Sequence, residues 1–380
     1  MNIFNKTLIA SSVILASTSA FSAGLYLHEV STNDVGLAAA GKAARAQDAS
    51  VMAANPAGLA NVDGKSFTGG LTALYGDADY QMDDGTNAGN IVGFVPLGSA
   101  FYSQQINDRF TLGIGVYGNY GLGLDYDNVP VETAVTQALT IQPTASYKIN
   151  DQWAVGAGLG IQYGMFDLKA GTTTGDITGG KIPSGAEVDD TDIAYNAKLG
   201  LLFSPNADTR FGLGYSSETE LNFEVLGKSI PPSVMPQTLT FSAFHQLNDK
   251  LAVMGNLDWE DWSAYSTTTG APTQDTYHIA IGSRYQLNEK TIWNLGIAYD
   301  SSLYKSQSEG DLTLPTGNTW RIGTGTEYQL DNNNSIGVAF EVALVDSSEV
   351  QPGKLGLGYE GHFTDPTLYF LTMTYSWSGK

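Results

Sequence analysis

The 380-residue sequence contains no cysteine. Disulfide frameworks and thiolate metal clusters are therefore excluded. Basic residues are few: 18 Lys and Arg stand against 39 Asp and Glu, for a formal net charge of −21. A nucleic-acid interface needs a basic face to neutralise phosphates, and so acidic a chain supplies none. Long apolar runs are also missing. No stretch approaches the ~18 consecutive apolar residues of a membrane helix, and the uncharged run 85–107 is broken by Asn87, Asn90, Pro96, Gln104 and several glycines. Disorder is excluded from the other side, because 42% hydrophobic and 11% aromatic residues are ample for a packed protein. What is abundant is glycine, 44 residues or about 12% against a usual ~7%, and tyrosine, which at 20 outnumbers phenylalanine at 15.

The first 22 residues stand apart. Met1–Lys6 carries one positive charge, Thr7–Ser17 is mostly apolar, and Ala20-Phe21-Ser22 places small residues before a cleavage point. This is the pattern of a secretory signal peptide, 1–22, so the mature chain is expected outside the cytoplasm.

One short pattern then recurs. Asn107, Asn150, Asn206, Asn248, Asn288 and Asp331 each sit in a tight polar tract such as Gln246-Leu247-Asn248-Asp249, at separations of 40 to 56 residues. Asn and Asp favour tight turns because they bond their own main chain and tolerate left-handed backbone. Each turn is bracketed by alternation of period two. After Asn288, Trp293, Leu295, Ile297 and Tyr299 alternate with Asn294, Gly296, Ala298 and Asp300. These are strands with one apolar face and one small or polar face.

A β-sandwich would turn its apolar faces inward, whereas a membrane barrel presents them to lipid and keeps polar residues in a lumen. Three features favour the barrel. Aromatics (Tyr147, Trp153, Trp293, Tyr299, Trp320, Tyr328, Trp377) sit at strand ends, where amphipathic rings prefer the headgroup level. Short turns alternate with long loops rich in Gly, Asp, Thr and Ser. The polar faces also carry charges, Lys198, Arg284, Arg321, Glu327 and Glu341, which are costly against lipid. Six short turns join seven hairpins, so the expected fold is all-β: a fourteen-stranded antiparallel transmembrane barrel over 65–380. The third strand is expected at 109–120 and the fourth at 138–149.

Residues 23–64 do not read as strand. Asn33 or Asp34 is expected to cap a helix running to Ala46, and Asp48 a second ending near Asn55-Pro56. The Ala/Gly content of 38–44 suits close packing against backbone. A barrel this wide leaves a hole unless something fills it, and inward glycines such as Gly113, Gly156, Gly212 and Gly214 leave room for a partly helical N-terminal hatch. Here the sequence becomes recognisable. Gly24-Leu25-Tyr26-Leu27-His28-Glu29, Asp48-Ala49-Ser50, Asn55-Pro56-Ala57-Gly58, Asn119-Tyr120-Gly121-Leu122 and the Trp-x-x-Trp-Ser of Trp259–Ser263 together resemble the FadL/TodX family of outer-membrane hydrophobic-compound channels, over essentially the whole mature chain.

The resemblance implies a monomeric barrel of the Gram-negative outer membrane, closed by a hatch at 23–64. It implies passive uptake of a hydrophobic molecule, in the first place a long-chain fatty acid, that leaves sideways through a gap made by a kinked third strand. Asn55, Pro56, Ala57, Asn119, Tyr120 and Gly121 carry that pathway by motif. A fatty-acid head would want a cation. The stretches where the family places one, Tyr163–Phe166 and Tyr265–Thr269, hold none, which leaves Lys169, Lys198 and Arg321 as candidates and raises neutral hydrocarbons or monoaromatics as an alternative in the same fold. A surface adhesin or receptor barrel without transport is the other. Expected partners are the hydrophobic ligand, outer-membrane lipid, lipopolysaccharide at the acidic loops, and the barrel-assembly machinery; nucleic acid is not among them. Neither an enzyme nor a cofactor is expected. The four histidines, at 28, 245, 278 and 362, match no metal-ligand spacing, and Asp258 with Glu260 reads as a pair of solvated rim acids.

Overall fold

The computed structural model describes residues 27–127, 131–171, 184–225, 228–229, 233–265, 273–306, 308, 310, 316–350 and 360–380. The signal-peptide segment 1–22 lies outside them. Fourteen strands form a closed antiparallel barrel. They are β1 (Lys65–Asp77), β2 (Gly93–Asn107), β3 (Phe110–Asp125), β4 (Val131–Lys148), β5 (Trp153–Ala170), β6 (Glu187–Asn206) and β7 (Thr209–Ser216). The second half comprises β8 (Gln237–Asn248), β9 (Leu251–Asp261), β10 (Thr276–Asn288), β11 (Thr291–Asp300), β12 (Thr319–Gln329), β13 (Asn334–Val345) and β14 (Thr367–Gly379). Each strand pairs with its neighbours in sequence, and β1 pairs with β14 from Lys65↔Gly379 to Asp77↔Thr367, which closes the barrel.

The six short turns close as their Asx chemistry dictates. Asn107 Oδ1 accepts from the N–H groups of Arg109 and Phe110, both at 3.0 Å, and Asn150 Oδ1 from Gln152 and Trp153, both at 2.9 Å. Asn206, Asn248, Asn288 and Asp331 repeat the arrangement. Alternation sets the two faces. In β10, Tyr277, Ile279 and Ile281 point outward, Ile281 being 66% exposed, while His278 and Ala280 are buried. In β12 the buried Thr319, Arg321, Gly323 and Gly325 alternate with exposed residues. Apolar outside and polar inside is the pattern that hydrocarbon selects. Ring pairs mark both borders of the outer belt: Trp153–Phe203 (4.3 Å between centroids) by the short turns, Tyr299–Trp320 (5.1 Å) and Tyr75–Tyr369 (6.4 Å) by the loops.

The loops carry a further small sheet in which Ser348–Val350, Gly361–Phe363, Asp79–Met82 and Asn87–Asn90 pair in that order. It packs Tyr80 against Phe363 at 4.7 Å. Its stretches are too short for periodicity to reveal. Among the described residues no helix is long and apolar enough to cross a membrane.

The N-terminal segment 27–62 runs along the inward face of the wall. Its one α-helix, α1 (Thr32–Gly36), is capped by Ser31. This corrects the longer helix expected through Ala46. Ala38 and Ala39 adopt positive φ of 47° and 61°, which no helix continues. Asp48 does cap a turn of 3₁₀ helix at Ala49–Ala53, and Asn55 caps a second at Pro56–Asn61. The segment fits because the wall is bare where it passes. A Cβ on Gly212 would stand 1.9 Å from the Ala43 oxygen, and one on Gly200 2.1 Å from Asn55 Oδ1. Gly212→Val is accordingly expected to cost about 1–3 kcal/mol through overpacking. The measurement is the denaturation midpoint of detergent-solubilised protein; an unshifted midpoint would place the segment away from that wall.

Candidate functional site: a lateral slot and the lumen behind it

The ladder between β2 and β3 is incomplete. Pairing runs from Asn107↔Phe110 up to Ser99↔Tyr117 and stops. Above that point β2 pairs only with β1, as far as Gly76↔Gly93, and β3 only with β4, as far as Asp125↔Thr133. The gap is bridged at the top by the chain just ahead of β2, where Asp125 N–H donates to the Ile91 carbonyl at 3.0 Å. A slot is left, roughly six residues or about 20 Å tall at the usual strand rise. Phe94, 66% exposed, lies opposite Tyr75 of the outer aromatic belt, so the slot faces the loop-side half of the hydrocarbon.

A bulge builds this slot. Between Gly118 and Tyr120 the β3–β4 register slips by one residue, leaving Asn119 unpaired. Below the slip the inward residues of β3 are odd-numbered, ending with buried Tyr117; above it the buried Tyr120 and Leu124 are even-numbered. The slip falls within the Asn119-Tyr120-Gly121 stretch that the sequence singles out. A Cβ on Gly121 would meet nothing nearer than 3.6 Å, so the slip at Asn119 makes the kink. The third strand, expected to end at residue 120, continues to Asp125. Pro96 in β2 is the signal that sequence reasoning passed over, since sheets tolerate proline mainly where a ladder partner is missing.

The Asn55-Pro56-Ala57 corner lies against β4, β5 and β6. Asn55 is fully buried and donates from Nδ2 to the carbonyls of Ala43 (2.7 Å) and Leu201 (3.0 Å), while its Oδ1 accepts from Ala57 N–H (3.0 Å). Ser146 Oγ donates to the Ala57 carbonyl at 3.1 Å. Three strands thus hold this corner by its backbone. The contact with β3 comes from Met52 and Leu59, whose ends lie where a Cβ on Gly113 would be. On the loop side the lumen is apolar: Leu74, Tyr80, Ile91, Val95, Tyr120, Trp262 and Phe370 belong to one buried cluster, with Leu97 packed on it. The Trp259–Ser263 stretch closes that end, with Trp262 Nε1 donating to Thr276 Oγ1 at 3.0 Å.

The three candidate cations have different fates. Lys169 donates to Glu132 at 2.5 Å on the loop-side rim, with its side chain 37% exposed, so it forms a surface ion pair. Arg321 is buried among Glu29, Glu341 (2.8 Å) and Asp300 (2.5 Å), its guanidinium saturated by carboxylates of the segment and the wall. Lys198 differs from both. It is buried at the level of the segment, donates to the Ala53 carbonyl at 3.0 Å and lies 5.5 Å from the Tyr117 ring centroid. It lines a cleft between the segment and β3, β6, β7 and β8, together with Leu27, Val30, Val51, Tyr117 and Tyr215. Tyr117 is also the last paired residue below the slot, so cleft and slot adjoin. A second cleft on the turn side is lined mostly by polar side chains, among them Ser31, Asp48, Ser66, Thr68, Arg284 and Glu327, with Trp377 at its edge.

Sequence reasoning missed the rest of the buried charge. Asp258 and Glu260 are not solvated rim acids but lie inside, 1% and 4% exposed, because the inward face of β9 carries them into the lumen. Lys42 meets Asp258 at 2.5 Å, and Arg45 pairs with Asp34 within the segment. The His28-Glu29 pair of the N-terminal motif was a signal for these contacts.

Residues 13–229 and 232–376 match the family described as outer membrane protein transport protein (OMPP1/FadL/TodX). The chain is 24% identical to the long-chain fatty acid transport protein of Escherichia coli O157:H7, over 94% of this chain and 96% of that one. Among solved structures, a Pseudomonas aeruginosa FadL homologue superposes with a TM-score of 0.81 at 18% identity, covering 93% of this chain and 99% of the other. The Pseudomonas putida toluene transporter TodX gives 0.69 at 15% identity, with 93% and 99% covered.

The contrast between the cations is measurable. Arg321→Gln leaves three buried carboxylates without their cation and is expected to cost about 3–5 kcal/mol of stability. Lys169→Gln is expected to leave the denaturation midpoint unchanged within error. Equal midpoints for the two variants would contradict the assignment.

Proposed function

Because the chain belongs to the OMPP1/FadL/TodX family of outer-membrane transport proteins, we propose that it takes up long-chain fatty acids and releases them sideways through the slot between β2 and β3. Membership makes it an outer-membrane channel for hydrophobic compounds and not an enzyme. The observation that carries the finer reading is the adjacency of Lys198, the cleft and the slot. An amphipathic acid set against Lys198 has its carboxylate on a buried cation, and its tail lies toward Tyr117 and the unpaired edges of β2 and β3. The route straight down is polar, lined by Ser66, Thr68, Arg284 and Glu327. An alkyl chain gains nothing there, whereas each methylene entering lipid gains about 0.8 kcal/mol. The slot opens at the level where that gain is available.

In this reading residues 23–64 are the hatch, and Asn55, Pro56 and Ala57 fix its corner to β4–β6, leaving β3 free to kink. Asn119, Tyr120 and Gly121 form the slot's β3 edge. The name of the E. coli relative speaks for a fatty acid and that of TodX for toluene. A neutral aromatic would have no use for Lys198, which favours the acid.

Uptake of labelled oleate and toluene, in cells lacking their own transporter, separates these readings. Lys198→Met is expected to lower oleate uptake about tenfold, the worth of one charge-assisted hydrogen bond, and to spare toluene. Deleting Asn119 restores a continuous register and is expected to abolish transfer of both. Unimpaired oleate uptake in both variants would sink the proposal. Deleting residues 24–60 is expected to give steady ion conductance in a planar bilayer, and unchanged conductance would count against the hatch.

A further inference from the structure

We propose that His28, Asp258 and His278 form a site for a divalent transition metal, of the class bound by imidazole and carboxylate, and that the metal fastens the N-terminal segment to the barrel wall. His28 comes from the segment, while Asp258 and His278 face each other directly across β9 and β10. One potential ligand atom from each lies within 4.8 Å of the others. All three side chains are buried, and the two imidazole centroids are 4.4 Å apart. Ligands around tetrahedral zinc stand about 2.1 Å from the metal and so about 3.4 Å from one another. Drawing these three in by roughly 1 Å is within the reach of side-chain torsions.

Three observations point to a cation. The first is His278 itself. Its Nδ1 is engaged by the Asp300 carboxylate, and its buried Nε2 has no hydrogen-bond partner. A histidine held by a carboxylate on one nitrogen and open on the other is oriented as metal-bound imidazoles are. The second is the ammonium already beside the site: Lys42 Nζ stands 2.5 Å from Asp258 Oδ2 and 3.0 Å from His28 Nδ1. An ammonium only donates, so His28 Nδ1 accepts and carries a lone pair toward a positive charge. The third is the local balance. Glu29, Asp258, Glu260, Asp300 and Glu341 are all buried, and the cations paired directly with members of this group are Lys42 and Arg321. A divalent ion reduces that excess. Lys42 and His28 also line the cleft described above, so an ion has a path in and the displaced ammonium has somewhere to swing. The fourth position on the metal is left for water.

The test uses the full mature chain without a polyhistidine tag, in detergent micelles, stripped with EDTA and titrated with cobalt(II) while its visible absorption is followed. One equivalent is expected per barrel, displaceable by zinc. His278→Gln and Asp258→Asn are each expected to weaken binding at least tenfold. Lys42→Met should tighten it by removing the competing ammonium. His245→Gln with His362→Gln should leave it unchanged, since those two are exposed. Folding of every variant is checked by its migration in unboiled gels. Saturating zinc is expected to raise the melting temperature of the wild type and not of His278→Gln. Absence of stoichiometric binding in the wild type, or wild-type affinity in His278→Gln and Asp258→Asn, overturns the proposal.

Discussion

In hydrocarbon a peptide group has no water to turn to, so each N–H and C=O of a spanning segment must find its partner within the protein. Closure of β1 onto β14 meets that demand for the sheet as a whole. The interruption between β2 and β3 has to be read against it. Its edges are formed by a proline-bearing strand on one side and a bulged, glycine-rich strand on the other, and protein side chains of the apolar cluster stand behind it. An opening in a membrane barrel is therefore not simply a missing set of bonds. It is a place where the rest of the molecule has been arranged so that bonds can be missing.

The same economy of contact shapes the interior. A wall of fourteen strands has room for water, and here it meets the N-terminal segment through three kinds of contact. Where the segment presents backbone, the wall presents glycine, and main chain meets main chain almost without side chains between them. Where it presents charge, the wall presents opposite charge: Glu29 finds Arg321, and Lys42 finds Asp258. The first kind of contact sets shape and the second sets register. The third supplies adhesion: Met52 and Leu59 share a buried cluster with Phe101 and Tyr117, and Leu37 shares another with Phe244 and Met254.

Much of this was legible before any coordinates. The six turns could be read because an Asx turn is a local affair of four residues, and the strand count follows from them. Strand faces could be read because lipid and lumen impose opposite polarity. Legibility fell away where chemistry became non-local. The loop-side end of β3 and the start of β4, seven residues earlier than expected at Val131, lie among glycines and threonines that alternate too weakly to mark a strand. His28 and His278 stand 250 residues apart, and no spacing rule spans that distance. Asp258 and Glu260 were placed on one face correctly, yet nothing local to β9 said how deep that face is buried.

Thr32 N–H donates to Thr374 Oγ1 across 342 residues of chain, and Val35 lies against Gly323 of β12. A segment that leaves the ribosome early thus docks on strands that leave it last. Closing so long a loop is slow, because its entropy must be spent before any contact returns it. The segment can take its final place only after β12 to β14 exist, and the barrel must come round while its future contents are still waiting outside the wall that will hold them.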